Sequence, residues 1–291
     1  MQFDGLIVPV ITQFDENGQV DTKGVAAFTE ILIEQGVNGL VACGTTGEAY
    51  ALTPDERHLV TLTIIKQNNG RLPVLSGVGG MATNTALDHA ALAKRMECDG
   101  LMLAAPAYSV PTEDELAAHT LTVVNAVKMP TVLYDYPARI GVSYTKRALE
   151  QVADNEYIIG IKEASGDLTR IPMLQENFAG RIEPVCGADV DSIVFLEAGV
   201  TSWIAGIANA LPKAHLGILN PATRKEAYAA IKPLLVNAES GQYINKTKAL
   251  LGILGFPSNF LRGPLKPLDS AGVNELRALV EQAGDWAPKL A

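Results

Sequence analysis

Short apolar runs and amphipathic stretches alternate along almost the whole chain. Runs rich in Val, Ile, Leu and Ala lie at residues 5–11, 39–43, 73–78, 100–105, 130–134, 157–164, 181–186 and 200–205. They are brief and mostly apolar, the composition of strands covered on both faces. Between them, apolar residues recur three and four apart, which predicts helices over 21–35, 53–68, 83–96, 112–127, 144–153, 167–178, 190–198 and 212–219. Two of these open on a capping box, Thr53 with Glu56 (and Pro54 at the first helical position) and Thr112 with Glu115. Asp167 is the expected cap of the sixth helix.

Strand–helix units spaced roughly 20 to 35 residues apart predict alternating βα architecture with a parallel sheet. Eight of them in about 220 residues favour a closed (β/α)8 TIM barrel over an open sheet. A doubly wound fold is the competitor, but no G-x-G-x-x-G follows the first strand, and Gly77-Val78-Gly79-Gly80 is only a glycine-rich strand exit. Residues 1–221 are assigned to the barrel and 222–291 to a C-terminal helical extension. The extension is expected to pack on the barrel or on a partner subunit. Its helical patterns are 222–237, interrupted by Pro233, then 244–254 and 274–283.

Composition narrows the function classes. Hydrophobic residues make up 48% of the 291 and charged residues 19%, the balance of a soluble globular protein. The net charge of −9 disfavours nucleic acid as a partner, and no basic cluster offsets it. No apolar run is long enough to span a membrane, and the first residues lack a basic, apolar leader, so the expected compartment is the cytoplasm. Cys43, Cys98 and Cys186 are far apart and odd in number. His58, His89, His119 and His215 are equally isolated, which predicts packing or surface roles, no metal site and no redox cofactor.

Candidate chemistry starts at the sixth run, residues 157–164 (YIIGIKEA). Lys162 is the lysine set inside a strand-like apolar run. Burial there lowers an ammonium pKa and makes the amine a nucleophile toward ketones. The alternative is a strand-end lysine whose head reaches solvent. In such a barrel the C-terminal strand ends converge on one mouth. Those positions hold Thr45 and Thr46 after strand two, Tyr108 after strand four, Tyr134 ending strand five, Arg139 beyond it, and Lys162. Paired threonines offer hydroxyls and N–H groups to a carboxylate, a buried tyrosine can shuttle a proton, and a rim arginine can clamp a second carboxylate. Together they suit a lyase acting on a 2-oxo acid. Each also has a plainer reading. The threonines could form a turn, Tyr134 could be a core aromatic, Tyr108 a loop residue, and Arg139 a partner of Asp135 or Asp167.

The order Gly44-Thr45-Thr46-Gly47-Glu48, Pro106-Ala107-Tyr108, Tyr134-Asp135-Tyr136-Pro137-Ala138-Arg139 and Gly160-Ile161-Lys162-Glu163-Ala164 resembles the dihydrodipicolinate synthase / N-acetylneuraminate lyase family over nearly the whole chain. The resemblance implies a class I, Schiff-base (β/α)8 barrel that needs no cofactor. It also implies a homo-oligomer, usually a tetramer built as a dimer of dimers. Lys162 would form an imine with pyruvate or another 2-oxo acid, and Thr45 and Thr46 would bind its carboxylate. Tyr134 would be the acid/base, with Thr45 and Tyr108 completing a proton relay and Tyr108 reaching the neighbouring subunit's site. Arg139 would receive the second substrate's carboxylate, and Gly187 would lie near the pocket wall.

Thr45-Thr46 with Arg139 resembles the synthase of lysine biosynthesis, which condenses pyruvate with aspartate semialdehyde. Ala107, Asp135 and the segment from Gly199 to Gly206 resemble catabolic members instead. Those are 2-keto-3-deoxy sugar-acid aldolases or dehydratases and a hydroxyproline-pathway deaminase. The positions that bind feedback lysine in synthases look replaced at Ala49, Pro54, Arg57, Met81, Thr85 and Ala107. A non-catalytic barrel binding a small carboxylate is the expectation from outside enzymology.

Overall fold

The computed structural model describes residues 4–258 and 260–290. Eight parallel strands close in chain order: β1 (Gly5–Pro9), β2 (Gly39–Ala42), β3 (Val74–Val78), β4 (Gly100–Ala104), β5 (Thr131–Asp135), β6 (Ile158–Glu163), β7 (Glu183–Cys186) and β8 (Ser202–Ile204). β8 pairs with β1, so no strand edge is left open. The expected (β/α)8 barrel is the fold of the chain.

Alternation along each strand divides the apolar residues between two cores. Ile7, Val41, Leu75, Met102, Val132, Tyr134, Val185 and Ile204 fill the barrel interior. Their strand neighbours, such as Leu6, Val8, Leu40 and Leu133, face the helices outside. That ring is α1 (Thr22–Glu34), α2 (Pro54–Asn68), α3 (Thr83–Arg95), α4 (Glu113–Val127), α5 (Pro137–Ile140), α6 (Lys146–Val152), α7 (Arg170–Phe178), α8 (Ser192–Glu197) and α9 (Pro212–Leu219). Both capping boxes form, at Thr53/Glu56 and Thr112/Glu115. Asp167 does not cap α7. Its carboxylate accepts from the Thr169 N–H and hydroxyl one turn earlier, and the helix starts at Arg170 without a side-chain cap.

Three further helices follow, α10 (Arg224–Glu239), α11 (Tyr243–Ile253) and α12 (Ser270–Ala283). α10 packs on α9 and α12, and Leu234, Leu251 and Leu276 share one core with Phe28 and Trp203 of the barrel. Pro233 does not break α10 as expected. A mid-helix proline costs about 3 kcal/mol. Burial of Ile231, Leu234, Leu235 and Ala238 on the same helix outweighs it, at about 1.5–3 kcal/mol per large aliphatic side chain.

The tail also ties down the loop after β2. The Lys248 ammonium on α11 lies 2.5 Å from Glu48 Oε1 and donates to the carbonyls of Thr12 and Phe260. The Arg262 N–H donates to Glu48 Oε2, while its guanidinium pairs with Glu56. Glu48 adjoins the paired threonines, so the tail anchors the loop that carries them.

Candidate active site

Strand register builds the centre of the site. Tyr134 on β5 lies directly across from Lys162 on β6, and Asp135 across from Glu163. Tyr134 and Lys162 therefore point into the barrel while their neighbours point out. The Lys162 Nζ stands 4.3 Å from the centre of the Tyr134 ring. Among the described residues no ion pair or hydrogen bond holds this ammonium. Burial, the dominant cause, lowers the Lys162 pKa to about 8, with Arg139 lowering it further and Asp189 and Cys186 opposing. Burial pushes the Tyr134 hydroxyl up to about 12, so it stays protonated and able to donate.

The loop after β2 turns at Cys43, which has a left-handed φ of 53°. The Gly47 N–H donates to the Gly44 carbonyl and the Glu48 N–H to that of Thr45, closing a tight bend. The turn that follows is a short 3-10 segment, Ala49–Ala51, and α2 begins only at Pro54, so the hydroxyls of Thr45 and Thr46 line the cavity without a long helix directly behind them. Gly206 permits their approach from the other wall. A Cβ there would stand 2.7 Å from both Thr46 Oγ1 and the Tyr243 ring.

Arg139 lies on α5, a one-turn helix that the apolar pattern does not show. Its guanidinium carbon sits 5.0 Å from the Tyr136 ring centre. It makes no ion pair among the described residues. The partners considered for it are engaged elsewhere: Asp135 pairs with Arg170 at 2.8 Å and accepts from Ser143, and Asp167 serves its own turn. Asp135 points outward into a buried network with Arg170 and Glu163 and does not line the cavity. Ala107 is likewise absent from the lining.

One cavity of about 440 Å3 gathers Thr45, Thr46, Tyr134, Arg139, Lys162 and Gly187. Tyr108 is not among its walls. It is 90% exposed, with a left-handed φ of 72°. Gly187 stands where a side chain would not fit, since a Cβ would meet Glu163 O at 2.7 Å and Lys162 Cγ at 2.9 Å. A larger cavity of about 930 Å3 opens around Gly160, Glu183 and Ser202, toward the N-terminal strand ends, and none of these site residues lines it.

The sequence reading missed the far wall, which includes Asp189, Asp191, Glu239, Gln242 and Tyr243. Tyr243 donates to Asp189 Oδ2 at 2.5 Å, and the Asp189 N–H donates to Glu239 Oε1 at 2.8 Å. Asp189 was findable, two residues beyond Gly187 at a strand exit. Glu239 and Tyr243 come from the tail, fifty residues further on, with no local signal.

A closed parallel barrel whose mouth holds a buried, weakly basic lysine beside a tyrosine is that of a class I, Schiff-base-forming lyase. The chain belongs to the dihydrodipicolinate synthetase family, whose profile matches residues 2–283. It is similar to 4-hydroxy-tetrahydrodipicolinate synthase of Geobacter metallireducens, 32% identical over 286 residues that cover 96% of this chain and 98% of the relative. Among solved structures, a chloride-inhibited dihydrodipicolinate synthase from Acinetobacter baumannii complexed with pyruvate matches with TM-score 0.93 and 30% identity, over 97% and 99% of the two chains. YagE, a prophage protein of the same family from E. coli in complex with pyruvate, matches with TM-score 0.92 and 27% identity, also over 97% and 99%. No helix among the described residues is long and apolar enough to cross a membrane.

Proposed function

We propose that the chain condenses pyruvate with aspartate semialdehyde, the 4-hydroxy-tetrahydrodipicolinate synthase reaction, through an imine on Lys162. The observation that carries the second substrate is Arg139, a guanidinium on the cavity wall with no acidic partner among the described residues. It is poised to hold a carboxylate beyond the one that the Thr45 and Thr46 hydroxyls receive. The Lys162 amine adds to the pyruvate ketone carbon and water departs, so no cofactor is required. Tyr134, kept protonated, gives and recovers the proton of that dehydration, and loss of a methyl proton yields the enamine nucleophile. The curated synthases at about 30% identity support this reading.

A second reading follows from the far wall. Asp189, Asp191, Glu239 and Gln242 offer acceptors suited to the hydroxyls of a 2-keto-3-deoxy sugar acid, and the cavity of about 440 Å3 exceeds what pyruvate alone fills. The same lysine would then serve an aldolase or dehydratase. Incubation of the purified protein with pyruvate and aspartate semialdehyde, and separately with keto-deoxy acids, decides between them. Condensation product supports the synthase. Consumption of a keto-deoxy acid without condensation overturns it.

For Tyr108 we infer a place in a second copy of the chain. Its exposed ring and the exposed Val110 are on the loop after β4, and the exposed Met81 is on the loop after β3, apolar side chains suited to contacts in a homodimer and then a dimer of dimers. Sedimentation of the wild-type protein tests this, a monomer at assay concentration being the contrary result. One related synthase is described as a monomeric variant.

A further inference from the structure

His215 lies on α9, fully buried, with its ring centre 4.6 Å from that of Trp203. Its Nδ1 is 2.7 Å from the Leu211 carbonyl oxygen. A carbonyl oxygen only accepts, so the proton is on Nδ1, and a neutral ring would leave Nε2 bare. That Nε2 faces Asp189 Oδ1 at 3.8 Å. Both atoms are buried, and among the described residues neither has a hydrogen-bond partner. The other carboxylate oxygen, Oδ2, is already served by Tyr243, whose hydroxyl accepts from the Ile207 N–H and so directs its own proton to Asp189.

Two bare acceptors facing each other in a dry interior repel, and buried unsatisfied groups are costly to leave unmade. A single proton removes both defects. We propose that His215 Nε2 carries that proton and shares it with Asp189 Oδ1, forming an imidazolium–carboxylate–tyrosine row behind Lys162. His215 is then a positioning residue, acting on the lysine through Asp189. This rests on Lys162 being the imine-forming residue.

The surroundings favour the charged ring. Asp189 is faced by Lys162 on β6, Cys186 on β7, Tyr243 on α11 and Glu239 on α10, with Asp191 on the same loop and Arg139 across the cavity. His215 is faced by Trp203 on β8 and by Asp189. Glu239 and Asp191 share the cavity wall with Asp189, the carboxylate that faces the imidazole. Burial first and Asp189 second push the Glu239 carboxyl up, as expected where carboxylates crowd. A cation at His215 offsets the Asp189 charge as Lys162 experiences it, and this helps keep the amine weakly basic.

The test uses the full-length protein labelled with 15N-histidine, the His215 signals being identified by their loss in His215→Gln. Both His215 nitrogens are expected to show protonated, imidazolium-type resonances. A bare Nε2 with protonated Nδ1 overturns the proposal. The second measurement is the pH profile of borohydride trapping with pyruvate. His215→Gln keeps a neutral donor to Asp189 but removes the charge. Its midpoint is expected to move up by half to one pH unit, slowing trapping at pH 7 roughly three- to ten-fold. An unchanged midpoint contradicts the proposal. If the wild type forms no pyruvate adduct, the Lys162 reading fails, while the resonances still decide the charge on His215.

Discussion

Gly187→Ala perturbs the site through a single methyl group. The added Cβ would stand 2.7 Å from Glu163 O, 2.9 Å from Lys162 Cγ and 3.0 Å from Ala164 Cβ. The backbone of β6 cannot retreat easily, because the Gly187 N–H donates to that same Glu163 oxygen at 2.9 Å and the Ala164 N–H to Asp135 O at 3.0 Å. The lysine stem is the softer neighbour. Restoring ordinary contact moves its Cγ by about 0.5 Å and the amine at its tip by about 1 Å. Overpacking of this kind costs about 1–3 kcal/mol, a fall in melting temperature of about 2–4 °C per kcal/mol in a chain approaching this size. Misplacing a reacting group by about 1 Å costs up to about 10²-fold in rate. Calorimetry and the rate of borohydride trapping with pyruvate are the assays. The variant should fold, melt lower and trap ten- to a hundred-fold more slowly, with rates of that order set by the displaced amine. Trapping at the wild-type rate refutes the idea that Gly187 makes room for the lysine.

Three other outcomes follow from the same geometry. The nucleophile is the neutral amine, so with a Lys162 pKa of about 8 trapping should rise nearly ten-fold from pH 6 to 7 and level off above about 8. A profile still climbing through pH 10 contradicts this. Arg170→Met leaves Asp135 and Glu163 as unpaired buried carboxylates and should cost about 3–5 kcal/mol in denaturant unfolding at pH 7. Burial already holds the Asp135 carboxyl above its usual range, so this loss should shrink as pH falls and Asp135 protonates. A loss independent of pH would count against the buried network. Arg139→Ala should raise KM for a carboxylate-bearing second substrate about ten- to a hundred-fold while changing pyruvate trapping only a few-fold. Equal effects on both would show that Arg139 does not discriminate between the substrates.

Most of the barrel is legible because parallel strands covered on both faces are predominantly apolar, and the eight runs stand out as such. Lys162 is legible for the complementary reason, being an ammonium in an apolar run. The two-residue period of a strand also carries the correction at Asp135. If Tyr134 faces inward, its neighbour must face the helices, where Arg170 waits seven residues beyond Glu163. The α5 turn is too short to show a helical period, so the pattern places Arg139 only beyond the end of strand five. Asp189, Tyr243 and His215 form one cluster from α9, α11 and a strand exit, and nothing in local patterning joins positions that far apart. His215 in particular reads as an ordinary packing histidine until its Nδ1 partner and its distance to Asp189 are known. Pro233 read as a break because propensity is local, whereas the burial that holds α10 together is not.

Treatment with pyruvate and borohydride, followed by digestion and peptide mass analysis, addresses the imine most directly. Reduction converts the imine to a stable secondary amine. One pyruvate-derived adduct is expected on the peptide containing Lys162, lost in Lys162→Ala. An unmodified Lys162, or an adduct on another lysine, contradicts it.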